Sequence, residues 1–372
     1  MPDFDLAVLG AGPVGLAAAA EGARLGRRVL LVMRYPFNRG RSDTMHAPRV
    51  EAIPASTLAL LARYGITPGR VGAGEVHGDR WGAWAAEAPV ALPGRPTVHI
   101  ERTLLEGAFV DLVRTEPRIT VCDVPVARGV GATDLGAARV LDATGRQAVT
   151  SGLRTGPRRP WVGRLFWAPR RATTVPGTFS IAATPNGYAY RLASTVGVTL
   201  GLVGRGSAIA KGASVIDRYL SCHAPWLLGG MPPLSDMMPV AGGGATVQWG
   251  AAAPGTILIG AAALARDALS SQGLAAGLSE ALASASIASG YDEILLSHRQ
   301  EEQRRAHLAH LLQICRSHRF VNEPIWAEYI AFLEREARAP SLSSAAFVDE
   351  GLIGLIRRKG RPQSAATARP AS

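Results

Sequence analysis

Residues 5–33 read Asp-Leu-Ala-Val-Leu-Gly10-Ala-Gly12-Pro-Val-Gly15, then an alanine-rich stretch to Leu25, then Gly26-Arg-Arg-Val-Leu-Leu-Val-Met33. Leu6–Leu9 is a short apolar run of the kind buried in a parallel sheet. Gly10 permits a tight turn. Gly12 carries no side chain, so a phosphate can approach the backbone. Gly15 lets the next helix pack closely on the strand. That helix is predicted from about Val14 to Leu25, with Gly26 ending it. Its free N–H groups and positive dipole end would face a pyrophosphate. Val29–Val32 is a second buried strand. Strand, turn, helix and strand fall in the order of a dinucleotide-binding unit. One element is missing. Such units carry an acidic residue at the end of the second strand to hold the adenosine ribose, and Met33 stands there.

Working outward, 372 residues suggest two intimately packed parts. Hydrophobic residues make up 47% of the chain, enough for a large core, and aromatics only 6%. No apolar run has the length and flanks of a membrane span. The chain enters a strand at once, which predicts no signal peptide. Cys122, Cys222 and Cys315 are far apart and form no sequence-local metal or redox pair, so a reduced, cytoplasmic setting is expected. The formal charge of +11 admits an acidic partner or an anionic cofactor. An arginine-rich composition is the favoured account of it, and no nucleic-acid motif accompanies it. The basic tail 357–372 reads as disordered.

The fold class expected is α/β: a Rossmann-type domain with an inserted antiparallel-sheet substrate domain and a helical C-terminal part. The nucleotide-binding domain would comprise 1–70, 101–158 and 236–290. Residues 71–100 and 159–235 would form the substrate domain, and 291–356 the helical region. Short strands are expected at Gly163–Trp167, Thr178–Ala183, Tyr188–Ala193 and Val196–Val203. A helix break is expected near Asn322–Pro324.

Two further blocks join the opening one. Val140-Leu-Asp-Ala-Thr-Gly-Arg146 ends a buried strand at Asp142. Leu258-Ile-Gly-Ala-Ala-Ala263 is followed by Asp267-Ala-Leu-Ser-Ser-Gln-Gly273. Together the three blocks resemble the FAD-dependent oxidoreductases that include the aromatic hydroxylases and tryptophan halogenases, over about residues 1–330. The Leu-Ser-Ser-Gln-Gly block and Trp326 are also similar to the LodB/GoxB-type flavoproteins. Those act on a tryptophan of a partner protein during tryptophylquinone formation. The halogenase signature Gly-Trp-x-Trp-x-Ile-Pro is absent, since Trp81-Gly-Ala-Trp84 has the wrong spacing.

The resemblance implies FAD as cofactor, with NAD(P)H or a separate reductase as electron source. The substrate would be an aromatic ring, including a tryptophan-bearing protein. Gly10, Gly12 and Gly15 would meet the pyrophosphate, and Gly260 and Ala261 would lie along the ribityl chain. Ala261 replaces the Asp usual there. The helix N-terminus at Gln272 and Gly273 would face the flavin pyrimidine. Met33 would lie at the ribose, with Arg34 free to engage a phosphate or stack on adenine. Arg41 and, less favourably, Arg39 would contact the pyrophosphate. Arg102 would neutralise phosphate or pair with Glu101 or Glu106. His46 is a loop histidine near the expected channel, and Tyr188 and Tyr190 share one face of a strand. His307 and His310, at i and i+3, read as a solvated helix face. Ser270 and Ser271 read as shaping a helix start. No residue is assigned as a catalytic acid or base. With both anchoring acids replaced, either weak, reversible FAD binding or a flavin-free protein is consistent with the sequence.

Overall fold

The computed structural model describes residues 2–33, 48–74, 76, 78, 80–93, 96–151, 153–170, 178–206, 209, 212–240, 244–270, 272–287 and 290–339. A five-stranded parallel sheet forms the base. Its order is β16 (Thr256–Leu258), β8 (Val140–Asp142), β1 (Leu6–Leu9), β2 (Val29–Met33) and β7 (Ile119–Asp123). β1 and β2 are buried along their whole length, as sheet strands covered on both faces must be.

The helices are α1 (Pro13–Arg24), α2 (Thr57–Ala62), α3 (Arg102–Thr115), α4 (Ala213–His223), α5 (Gly273–Ala285), α6 (Gly290–Arg316) and α7 (Pro324–Arg338). The opening strand–helix–strand unit is formed as the sequence predicts, with α1 shifted by one residue. Gly26 follows α1 at φ +84°, a left-handed conformation that glycine tolerates. The break before α7 falls at Pro324, where a missing N–H costs nothing.

Above this base lies a seven-stranded sheet in the order β14 (Met238–Val240), β10 (Trp161–Pro169), β13 (Gly197–Arg205), β12 (Gly187–Ala193), β11 (Phe179–Thr184), β4 (Arg80–Ala83) and β5 (Val90–Ala91). It is antiparallel except that β4 joins β11 in parallel, Trp81 opposite Ser180. Two small sheets complete the fold. β3 (Val50–Pro54) pairs with β6 (Thr97–Glu101), and β15 (Gln248–Ala251) lies between β17 (Leu264–Ala265) and β9 (Leu153–Thr155).

One hydrophobic cluster joins the parallel sheet to α1, α3 and α5. A second lies between the seven-stranded sheet and α6 and α7 and is rich in aromatic rings. Its centre is Trp326, fully buried, whose Nε1 donates to the Thr184 carbonyl at 2.9 Å. The Trp161 ring meets it edge-on at 4.8 Å and Trp84 at 5.8 Å. Tyr188 and Tyr190 do face one side of the sheet, and both pack into this cluster. Among the described residues, no helix is long and apolar enough to cross a membrane.

Candidate cofactor site

The glycine turn explains itself atom by atom. Gly10 sits at φ +97°, and a Cβ there would lie 2.7 Å from the Ala143 carbonyl oxygen. The turn is thus threaded against the end of β8. Asp142, fully buried, holds that end. Its carboxylate accepts from the Thr144 N–H and hydroxyl at 2.9 and 2.6 Å, and from those of Thr150 at 2.9 Å each. Gly15 is tighter still. A Cβ on it would fall 1.8 Å from the Gly10 carbonyl oxygen.

Gly12 differs from both. A Cβ there would meet nothing within 4 Å. Gly12 is the N-cap of α1, no side chain caps the helix, and Pro13 follows. The first-turn N–H groups have no intrahelical acceptors. An open backbone face at an uncapped helix start is the shape a pyrophosphate requires.

The third block reaches the same place. Gly260, at φ +58°, packs against Val14 of α1, with its would-be Cβ 3.0 Å from a Val14 methyl. Gly277 of α5 presses on the same valine at 2.6 Å. The three blocks therefore converge on the first turn of α1. Ala261, next in the chain, is exposed. Gln272 is the N-cap of α5 without a side-chain hydrogen bond, and Gly273 opens onto free space.

Met33 ends β2 and is 1% exposed, packed in the core. It offers no hydrogen bond to a ribose. Arg34, Arg39, Arg41, His46 and Ser271 lie outside the described residues. Arg102 takes the ion-paired alternative that the sequence left open, with Glu51 as an additional partner. Its Nη1 donates to Glu51 at 2.8 Å and its Nε to Glu106 at 2.6 Å. Two carboxylates already meet its charge, so it is not a free phosphate ligand. Glu101 instead caps α3, accepting from the Thr103 and Leu104 N–H groups. Burial would raise the Glu51 carboxyl, but Arg102 and Arg49 hold it down to about 2.

The partners of three charged residues, two of them buried, escaped the sequence reading. Glu280, on α5, accepts the Gly260 N–H at 2.8 Å and fixes the turn that carries Ala261. An acid inside the alanine-rich run 273–285 was its only signal. Arg146 donates to the Thr246 and Arg266 carbonyls. Asp267 is 1% exposed and accepts from the Tyr329 hydroxyl at 2.5 Å, the Tyr188 hydroxyl at 3.1 Å and the Leu269 N–H at 2.9 Å. Burial raises its carboxyl, and those donors oppose the rise. One carboxylate thus ties β12, α7 and the loop before α5. Asp267→Ala would strand two buried phenols. The expected loss in urea unfolding is about 2–5 kcal/mol, and less for Asp267→Asn, which keeps one acceptor.

The chain has the fold of the FAD-dependent halogenases and aromatic monooxygenases. Three solved structures illustrate it. The peptidyl tryptophan dihydroxylase QhpG, essential for tryptophylquinone cofactor biogenesis, superposes with a TM-score of 0.66 at 20% identity, over 88% of this chain and 78% of that one. The myxobacterial chondrochloren halogenase CndH, a variant FAD-dependent halogenase, gives 0.70 at 18% identity, over 95% and 90%. PqsL of Pseudomonas aeruginosa, a probable FAD-dependent monooxygenase, gives 0.62 at 12% identity, over 89% and 99%. No family model and no curated protein sequence matches the chain.

Proposed function

We propose that this protein is a FAD-dependent oxidoreductase, a monooxygenase acting on an electron-rich aromatic ring. The observation that carries the reading is Gly12: an open backbone face at the uncapped start of α1, kept clear while Gly10 and Gly15 on either side are locked. Gly10, Gly12 and Gly15 would hold the pyrophosphate. Gly260 and Ala261, with the α5 start at Gln272 and Gly273, would flank the rest of the cofactor. Bound there, FAD would supply the oxygen chemistry, with electrons from NAD(P)H or a separate reductase. The chain's own part is to bind, to orient and to exclude water. The N–H groups at the start of α5 would favour negative charge beside them. A tryptophan of a partner protein is the substrate this reading favours, because a neighbour of the same fold is named for that chemistry. The setting would be cytoplasmic.

A second reading has its own support. Met33 and Ala261 offer no acid where the resemblance expects two, which fits a flavin-poor protein that uses the fold to bind a partner. FAD titration separates the readings. Saturable quenching of FAD fluorescence at micromolar protein is expected for the oxidoreductase. No quenching even at high concentration would leave the second reading standing.

Ala261→Asp sharpens the test. The position is exposed, so the carboxylate enters without a burial cost. It is expected to tighten FAD binding by about tenfold, the worth of one charge-assisted hydrogen bond of about 1.5 kcal/mol. Unchanged or weaker binding would mean that the ribityl chain does not pass Ala261. Met33→Glu is a poorer probe, because it places a charge in the core.

A further inference from the structure

The aromatic cluster holds a buried carboxylate that ring packing does not require. Tyr329 is 2% exposed, and its hydroxyl donates to Asp267 Oδ2 at 2.5 Å. The same phenolic oxygen accepts the Val247 N–H at 3.3 Å. Phenylalanine would fill the ring's space with no acid beside it, and a buried carboxylate is costly. The phenol does not ionise on its own, because burial, with the Asp267 charge adding to it, pushes its proton loss well above the ordinary range. Burial also makes Asp267 a stronger base than a carboxylate in water. Loss of an electron turns a phenol into a strong acid. The proton therefore leaves Tyr329 along this hydrogen bond when an electron leaves the ring.

That electron has a path. The centre of the Trp161 ring lies 4.7 Å from that of Tyr329 and 4.8 Å from that of Trp326, and Trp84 follows Trp326 at 5.8 Å. Electrons pass readily between rings in such contact. Trp161 is 2% exposed, Trp326 0% and Trp84 9%, so Trp84 is the end of the series nearest solvent. Tyr188 shares the carboxylate but is worse placed on both counts. Its hydroxyl is 3.1 Å from Asp267, and its ring is 6.4 Å from Trp161. The shorter proton path and the shorter electron path both belong to Tyr329.

We infer that Tyr329 is a one-electron redox site, reached through Trp84, Trp326 and Trp161, with Asp267 as its proton acceptor. A one-electron oxidant, of the class of oxygen-derived radicals, takes an electron from Trp84, and the deficit moves through Trp326 to Trp161. Tyr329 then gives an electron to Trp161 and its hydroxyl proton to Asp267. A tryptophan radical cation, a phenol and a carboxylate become a neutral tryptophan, a phenoxyl radical and a carboxylic acid. The inference does not rest on the flavin reading, and its test uses the full chain with no flavin added. Tris(bipyridine)ruthenium(III) is generated by a laser flash, and transient absorption and electron paramagnetic resonance follow the radicals. A tryptophanyl signal is expected first, giving way to a tyrosyl signal. Tyr329→Phe is expected to lose most of the tyrosyl signal and to prolong the tryptophanyl one, whereas Tyr188→Phe keeps the sequence of the parent. A tryptophanyl signal with no tyrosyl successor in the unaltered protein, an undiminished tyrosyl signal in Tyr329→Phe, or the same loss in Tyr188→Phe would overturn the assignment. If Tyr329→Phe fails to fold, hexacyanoferrate(II) decides on the unaltered protein. The tyrosyl radical is expected to outlast that of N-acetyltyrosinamide at the same quencher concentration, and equally fast loss would place it on an exposed tyrosine and overturn the assignment.

Discussion

Gly15→Ala is expected to abolish the folded state, whereas Gly12→Ala, three residues earlier, is expected to leave folding intact and weaken FAD binding. A methyl on Gly15 would sit 1.8 Å from the Gly10 carbonyl oxygen, an overlap that only backbone movement can relieve. Gly10 cannot yield, because its own would-be Cβ position lies 2.7 Å from the Ala143 oxygen. Asp142 in turn fixes the segment after Ala143 with four hydrogen bonds. The loss should exceed about 4 kcal/mol, in the range of the most damaging single substitutions. Gly12 has an ordinary φ of −72° and free space beyond its Cα. Its alanine variant should melt within a few degrees of the parent, since an N-cap alanine costs at most about 1 kcal/mol. The same methyl would occupy the phosphate's approach and lower FAD affinity by at least about tenfold. Urea unfolding and FAD titration of the two variants check the pair. Parent-like FAD affinity in Gly12→Ala would remove the pyrophosphate from this turn.

Mild acid is expected to weaken the protein through two buried histidines. His318 is 3% exposed, with its ring 3.8 Å from that of Trp326 and 5.4 Å from that of Trp84. Its Nδ1 accepts the Phe320 N–H at 3.0 Å. Burial lowers His318 to about 4, and His307 to about 3. Both folded values lie below the ordinary 6.5. Their contribution is therefore fully present above pH 6.5 and is lost as pH falls through the folded values, because the unfolded chain takes up the protons first. Each histidine costs about 1.4 kcal/mol per pH unit inside its window. Burial also raises the carboxyls of Asp267 and Glu280, and these act in the opposite direction. His318→Gln isolates one term, since its amide oxygen can still accept the Phe320 N–H. The stability difference between parent and variant should change by about 2 kcal/mol between pH 6 and pH 4.5. A flat difference across that range would refute the assignment.

Local patterns carried most of the fold. The apolar runs of β1 and β2, the glycines around α1 and Pro324 before α7 each act on their own few residues, so the sequence shows them directly. The parallel joining of β4 to β11 was not legible. It pairs residues 80–83 with 179–182, and no local pattern encodes that choice. The site follows the same division. The glycine turn was readable because its geometry is local, and its partner strand end at Asp142 was readable as a second motif. Glu51 as the partner of Arg102 was missed because it comes from β3, 51 residues away. Asp267 stood inside a recognised block, but its meaning lies in Tyr188 and Tyr329, which are 79 and 62 residues distant. His307 read as solvated because helical spacing does not show which helix will pack against it.

The seat of Val14 on Gly260 and Gly277 also governs the order in which the protein can be made. The opening unit emerges from the ribosome first, yet β8, β16 and α5, which complete its sheet and cover α1, are encoded after residue 139 and as late as residue 285. At about 5–20 residues per second, the apolar face of α1 waits on the order of tens of seconds for its last partner. The seven-stranded sheet is complete only with β14 at Val240, before α5 emerges. The nucleotide-binding half is thus begun first and closed last, and a nascent chain stalled before residue 273 would expose the greasy side of its oldest helix to chaperones.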